Sequence, residues 1–144
     1  MFSLIMLFTL TSASLQISTI PYLELNSTLS TAVGSNCGAS NVYEMYGVNV
    51  NPWPPNAGMH SLMIIEGIFI QNALVQNIVL GTCYNSKTWN YDSIAVDNTY
   101  SAGEEVVFEL ATIFPTNPGN YISNVQLQVG GAYVCCWQFP YTIS

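Results

Sequence analysis

The chain has 144 residues and a formal net charge of −7, with eight acidic residues, one lysine (Lys87) and no arginine. Its length fits one domain with a substantial core. Nucleic-acid binding is excluded because it requires cations that neutralise phosphates, and anionic membrane surfaces would repel the chain for the same reason. Half of the residues are apolar, which predicts a core together with an internal apolar cavity, with an exposed binding patch as the alternative.

The first 14 residues are predicted to be a secretory signal peptide. An apolar run over residues 1–10 is followed by small residues at 11–14, a pattern that suits signal peptidase. The alternative is an N-terminal strand of the domain. Entry into the secretory route would permit disulfide bonds among the four cysteines. Residues 15–36 are rich in Ser, Thr and Asn, which predicts an extended N-terminal arm before a domain spanning residues 37–144.

Strand patterns separated by turn residues follow one another through the rest of the chain. No segment has a sustained helical period. The predicted strands cover residues 43–50, 59–70, 74–80, 88–96, 105–111, 121–129 and 133–143. This succession predicts an all-β protein with an immunoglobulin-like antiparallel β-sandwich of about seven strands.

The last predicted strand carries the strongest side-chain pattern. Alternate side chains of a strand face opposite ways, so one almost wholly apolar face is predicted to hold Tyr133, Cys135, Trp137, Phe139 and Tyr141. Such a face is typical of a strand that lines a core or an apolar cavity. Pro140 has no N–H group for the ladder, so this strand is predicted to lie at a sheet edge or to be irregular near its end.

Residues for covalent chemistry are sparse. His60 and Ser61 are the only adjacent histidine and serine, and neighbouring side chains of a strand face opposite sides, which does not suit a nucleophile and its base. Cys135 and Cys136 with one histidine do not give the ligand set of a zinc site. We therefore predict a protein that is not an enzyme and that needs no metal or other cofactor.

Several short motifs resemble one family when they are taken together and in order. Cys37-Gly38 is followed by VNVNPWPPNAG at 48–58, by Glu66-Gly67 in a long strand, by FPTNPGNY at 114–121, and by CWQFPYTI at 136–143. This set resembles the ML lipid-recognition domain, the family of the Niemann-Pick sterol carrier, the ganglioside activator and the group 2 mite allergens. The resemblance implies a small secreted or lysosomal β-sandwich that holds one lipid between its two sheets.

The resemblance also implies a disulfide bond between Cys37 and Cys136, because in this family the opening cysteine is bridged to the cysteine of the last strand. A short disulfide loop found in the second half of many members is absent here. Cys83 and Cys135 have no counterpart in the family pattern. They are expected either to pair with each other or to remain buried thiols, which behave as small apolar groups.

The predicted function is to bind and transfer a single sterol or other lipid without covalent chemistry. The predicted cavity wall comprises Ile64, Phe69, Phe108, Val125, Leu127, Trp137 and Phe139. Each of these residues could instead belong to a plain core. The protein is expected to be monomeric, to lie in the secreted fraction or the lumen of a lysosome or vacuole, and to pass its lipid to a membrane or a membrane protein. The alternative is an extracellular recognition or adhesion module with a filled core and a surface patch around Trp53 and Trp89.

Overall fold

The computed structural model describes residues 31–144, so the predicted signal peptide and residues 15–30 of the predicted arm lie outside the described residues. The strands are β1 (Thr31–Val33), β2 (Ser35–Asn36), β3 (Tyr43–Asn51), β4 (His60–Phe69), β5 (Ala73–Tyr84), β6 (Thr88–Tyr100), β7 (Glu105–Ile113), β8 (Gly119–Val129), β9 (Ala132–Tyr133) and β10 (Trp137–Ile143). Within residues 31–144 no helix is long and apolar enough to cross a membrane.

Two antiparallel sheets form the sandwich. The first sheet has the order β1-β3-β4-β7, and the second has the order β2-β10-β8-β5-β6, with β9 paired to β8. Their inner faces share one cluster of buried apolar side chains, which is the packing expected when each sheet has one apolar face. The all-β antiparallel sandwich predicted from the sequence is confirmed, with three very short strands added to the seven predicted ones.

Strands β5 and β6 are longer than the sequence pattern predicts, and they form one hairpin. Asn85 and Ser86 have positive φ angles of 48° and 59°, a backbone conformation that asparagine tolerates well in tight turns. Pairing across this turn extends β5 to Tyr84 and starts β6 at Thr88. Hairpin pairing therefore outweighs the low strand propensity of residues such as Gly81.

The last strand begins at Trp137, four residues later than predicted. Tyr133 lies in β9 and is exposed, so it does not share the inner face of the last strand. Gly130 and Gly131 have positive φ angles and turn the chain back along β8. Beyond Gln138, β10 has no partner on its β2 side, so Pro140 lies at a sheet edge, as its missing N–H group requires.

Four aromatic rings close the centre of the sandwich. Tyr43 lies 4.7 Å from Phe69 and 5.9 Å from Phe108 between ring centroids, and Phe69 stacks on Tyr100 at 4.7 Å. The Tyr43 hydroxyl donates a hydrogen bond of 2.8 Å to the carbonyl of Val106. These contacts join both sheets, because Tyr100 belongs to β6 and the other three rings belong to the first sheet.

One side of the sandwich is tied shut by a strap, which we define as residues 31–37. It runs from β1 in the first sheet to β2 in the second through Gly34. A Cβ atom on Gly34 would clash with the carbonyl oxygen of Gln138, so glycine is required at this crossing. The disulfide bond between Cys37 and Cys136, implied by the family resemblance, is confirmed.

Candidate functional site

The opposite side of the sandwich is open, and there β6 and β7 form the edges of the two sheets. Exposure of the inward-facing side chains of β6 increases along the strand: Tyr100 is buried, Ile94 is half-buried, and Asn90 and Asp92 are exposed. At the Tyr100 end the short connection 101–104 leads directly into β7 and holds the sheets together. The inner faces of the sheets are therefore most accessible at the Asn90 end of β6.

A cavity of about 230 Å³ lies between the sheets at this accessible end, and we call it the cleft. Its lining comes from both sheets and from the segment after β7: Met63, Leu80, Thr82, Asn90, Asp92, Thr112, Ile113, Phe114, Pro115, Ser123, Phe139 and Tyr141. A second cavity of about 310 Å³ shares Thr82, Asn90 and Pro115 with it. The open space thus continues along the inner side of the β5–β6 hairpin.

Three hydroxyl groups meet in the lining of the cleft. Ser123 Oγ lies 3.0 Å from the Tyr141 hydroxyl and 3.4 Å from Thr82 Oγ1. Burial raises the pKa of the Tyr141 hydroxyl above its usual value, and the hydrogen bond with Ser123 opposes this in part. The phenol therefore stays protonated and retains one donor and its acceptor capacity. A polar group of a ligand could exchange hydrogen bonds with these hydroxyls.

Trp53 packs at the same end of the sandwich as the cleft. It lies in the proline-rich segment between β3 and β4, and it is half-buried. Its ring centroid is 5.8 Å from that of Phe139, 6.1 Å from Tyr141 and 6.2 Å from Phe114. Trp53 therefore belongs to an inward-facing aromatic cluster, whereas the recognition alternative placed it in a surface patch with Trp89.

Six of the seven predicted wall residues belong to the inner faces or pack against them. Phe139 is the one that lines the cleft. Four others are buried in the closed part of the sandwich: Phe69, Phe108, Val125 and Leu127. Trp137 is half-buried beside the strap, where its Nε1 donates a hydrogen bond of 2.7 Å to the carbonyl of Val33.

Ile64 is placed outside the space between the sheets. Its direct neighbours in register are Asn49 on β3 and Glu109 on β7, while the flanking Met63 and Ile65 belong to the buried core. Strand β4 is apolar on both faces, so its sequence pattern cannot decide which residues point inward. Ile64 is nevertheless buried.

The other two cysteines carry free thiols. Cys83 and Cys135 are both buried and are not bonded to each other. Burial raises the pKa of the Cys135 thiol to about 12, so this thiol is protonated at physiological pH. In residues 31–144 there is no group of three His, Cys, Asp or Glu side chains that could hold a metal ion. Of the two alternatives for these cysteines, the structure has buried thiols.

The polar half of the cleft was not predicted from the sequence. Thr82 lies beyond the predicted end of the β5 pattern, and Asn90 and Asp92 lack the apolar character that marks an inward face. The inward position of Ser123 could have been predicted, because its side chain faces the same side of β8 as those of Val125 and Leu127. Extending that alternation by one step would have placed its hydroxyl between the sheets.

No family model matches the sequence, and no curated protein sequence matches it either. Comparison of structures does find proteins of similar fold. A Niemann-Pick type C2 protein from the Japanese carpenter ant superposes with a TM-score of 0.60 at 10% identity, covering 78% of this chain and 99% of that one. Chicken MD-1 complexed with lipid IVa gives 0.50 at 12% identity, covering 78% and 96%. The fold is ML-domain-like.

The same architecture is shared more widely. The C-terminal domain of wzt superposes with a TM-score of 0.63 at 9% identity, covering 80% of this chain and 78% of that domain. At such low identities the likeness concerns the fold alone.

Proposed function

We propose that this protein binds one lipid molecule between its two sheets, with entry through the cleft between β6 and β7. The observation that carries the proposal is the cleft between the two sheets, whose lining combines apolar side chains with three clustered hydroxyl groups. A pocket of this kind suits a ligand with an apolar body and a small polar group. The complex of chicken MD-1 with lipid IVa supports the idea that this fold accommodates lipid.

The proposed lipid needs more space than the cleft provides. Ligand pockets commonly have volumes of roughly 300–1,000 Å³, and the cleft has about 230 Å³. An acyl chain of about 12 methylenes would contribute about 10 kcal/mol on burial, which exceeds an association cost of about 4 kcal/mol or more. A chain of that length would have to pass beyond Phe139 towards Val125, Leu127 and Phe108.

The fold allows such an opening on one side. Strands β6 and β7 belong to different sheets and are not paired with each other in residues 31–144. On the opposite side the strap and the Cys37–Cys136 bridge hold the sheet edges together. The sheets can therefore separate about the strap while the ladders within each sheet stay intact. In this mechanism Phe69 and Trp137 border the inner end of the lipid site.

The charged residue in the cleft lining limits which lipid headgroups can bind there. Asp92 lines the cleft, and the single lysine, Lys87, lies in the turn after β5. A phosphate headgroup would meet a carboxylate and no adjacent cation, which is unfavourable. We therefore propose a sterol or another weakly charged lipid, whose hydroxyl group would bond to Thr82, Ser123 or Tyr141.

The proposed cellular location rests on the disulfide bond. Such bonds persist in oxidising compartments, and the Cys37–Cys136 bridge accords with a secreted protein or one in the lumen of a lysosome or vacuole. There the protein would act as a monomeric carrier that shields the lipid and passes it to a membrane or a membrane protein. No catalytic group is needed for this role.

Native mass spectrometry of the secreted protein tests the proposal first. One co-purified lipid per chain, released by organic extraction, is the expected result. The purified protein is then titrated with dehydroergosterol and with pyrene-labelled phosphatidylcholine, and tighter binding of the sterol is expected. A lipid-free mass together with no binding of either probe would reject the lipid-carrier function.

A pair of variants locates the site. Thr112→Trp places a large ring into the mouth of the cleft and should weaken sterol binding by about ten-fold or more. Ala111→Trp is the matched control, because Ala111 is exposed on the opposite face of the same strand. Equal sterol affinity in the two variants would show that the lipid does not enter between β6 and β7.

A further inference from the structure

The outer face of the second sheet carries an exposed aromatic pair that the lipid site does not use. Trp89 and Tyr91 are two residues apart on β6, so their side chains share one face. Their rings are nearly parallel, with an interplanar angle of 12° and centroids 5.9 Å apart. Tyr91 is 55% exposed and Trp89 is 38% exposed. This is an offset pair that presents aromatic surface to solvent.

A glycine on the neighbouring strand fixes the position of the Tyr91 ring. Gly81 pairs directly with Tyr91 and, on its other side, with Asn124. A Cβ atom on Gly81 would clash with Asn124 Oδ1 and would lie 2.8 Å from Cε1 of Tyr91, so the Asn124 amide and the Tyr91 ring together occupy the space that a larger residue would fill. The missing side chain thus lets the ring lean across the sheet, where it borders Asn124.

Amide side chains continue the same face beyond the aromatic pair. Asn124 and Gln126 on β8 face outward, and Gln138 on β10 pairs with Asn124 in register. Asn124 Oδ1 is buried and has no hydrogen-bond partner among the described residues.

This surface is also neutral. We define the aromatic–amide face as Trp89, Tyr91, Ser93, Asn124, Gln126 and Gln138, and none of these six side chains is charged. The chain as a whole has a net charge of −7. The surface therefore offers flat apolar rings beside groups that can both donate and accept hydrogen bonds, without attraction for ions.

We propose that the aromatic–amide face is a binding site for a neutral oligosaccharide. A sugar ring has an apolar face of C–H groups, which would pack on Tyr91 and Trp89, and a rim of hydroxyls, which would bond to the amides of Gln126 and Gln138. A lipid membrane does not fit, because the amides interrupt the apolar area. A charged peptide does not fit either, because the face offers no counter-charge.

The glycan site is independent of the proposed lipid site. Tyr91 and Trp89 face away from the space between the sheets, whereas Asn90 between them lines the cleft. The two sites thus use opposite faces of the same edge strand. Loss of one binding activity by mutation should leave the other intact, so the failure of either proposal can be recognised separately.

A screen of the purified protein on an array of neutral and acidic glycans tests the proposal, followed by titration calorimetry with the best neutral hexasaccharide. Binding of one or more neutral glycans is expected. Tyr91→Ala should weaken it by about ten-fold, which corresponds to the contribution of one aromatic contact. Tyr46→Ala is the matched control, because Tyr46 is 56% exposed but lies on the first sheet.

Three results would overturn the inference. The first is an array without neutral glycan binding, and the second is equal glycan affinity in Tyr91→Ala and Tyr46→Ala. The third is a concentration-dependent dimer, detected by analytical ultracentrifugation, that Tyr91→Ala dissociates, since the face would then bind a second copy of the chain. Circular dichroism of both variants verifies that each retains the strand spectrum of the parent protein.

Discussion

Removal of the Cys37–Cys136 bridge is expected to lower the free energy of unfolding by about 4.7 kcal/mol. The two cysteines are 99 positions apart, and a cross-link that closes a loop of roughly 100 residues restricts the unfolded chain by this amount near room temperature. Domains of ordinary stability unfold with about 5–15 kcal/mol. The loss is therefore between about a third and nearly all of the total.

The folded state should survive this change locally. The amide of Cys37 donates a hydrogen bond of 2.9 Å to the carbonyl of Cys136, and the indole of Trp137 bonds to Val33 in the strap. Both bonds remain in a variant with Cys37→Ser and Cys136→Ser. The main effect is then on the unfolded chain, which becomes more expanded, so the dependence of stability on urea should steepen slightly.

Urea unfolding followed by tryptophan fluorescence and circular dichroism measures both quantities. Cys83→Ala is the matched control, because it removes a buried sulfur without removing a cross-link and should cost about 1 kcal/mol. If the double serine variant loses no more stability than this control, the argument from loop entropy does not hold. A loss much larger than about 5 kcal/mol would show that the bridge also maintains the packing of the strap.

Three further predictions follow from single side chains. Burial raises the pKa of the Glu109 carboxyl, so the folded state holds this proton more tightly than the unfolded chain does, and stability falls as the pH rises through the two pKa values. Glu109→Gln should therefore raise the melting temperature at pH 7 and leave it unchanged at about pH 3, which calorimetry at both pH values can test. Cys135 has a pKa of about 12, so native protein at pH 8 should resist iodoacetamide at this residue while urea-unfolded protein reacts, as peptide mass spectrometry would detect; equal labelling in both states would contradict the burial. Phe108→Ala removes a ring that is 1% exposed and should cost about 3–5 kcal/mol in urea unfolding; a loss below about 1 kcal/mol would mean that the ring is not needed to fill the core.

The alternation of side chains predicted much of the inner face. In β7, residues Val106, Phe108 and Leu110 point to the core, as their spacing with polar neighbours required. The same holds for Val125 and Leu127 in β8 and for Phe139 and Tyr141 in β10. In these strands one face is apolar and the other is polar, so the pattern has only one register that buries the apolar set.

Ile64 was predicted to face inward but lies on the outer face of its sheet. Residues on both sides of it are apolar, and a shift of one residue would bury an equally apolar set. Only the pairing of β4 with β3 and β7 decides which β4 side chains face inward. In that pairing Tyr43 lies opposite Phe69, and Val48 lies opposite Ile65. The neighbours that decide the question lie on other strands.

The sequence by itself determined the β-sandwich, the disulfide partner implied by family resemblance and the apolar faces of the clearly alternating strands. Tertiary structure alone decided that the sandwich opens between β6 and β7, that Thr82, Ser123 and Tyr141 meet in the cleft, and that Tyr91 leans on Gly81. Alternation is a property of one strand, and its period of two can be read locally. Cavities and shared surfaces arise from residues on different strands, whose distances depend on the packing of the whole domain.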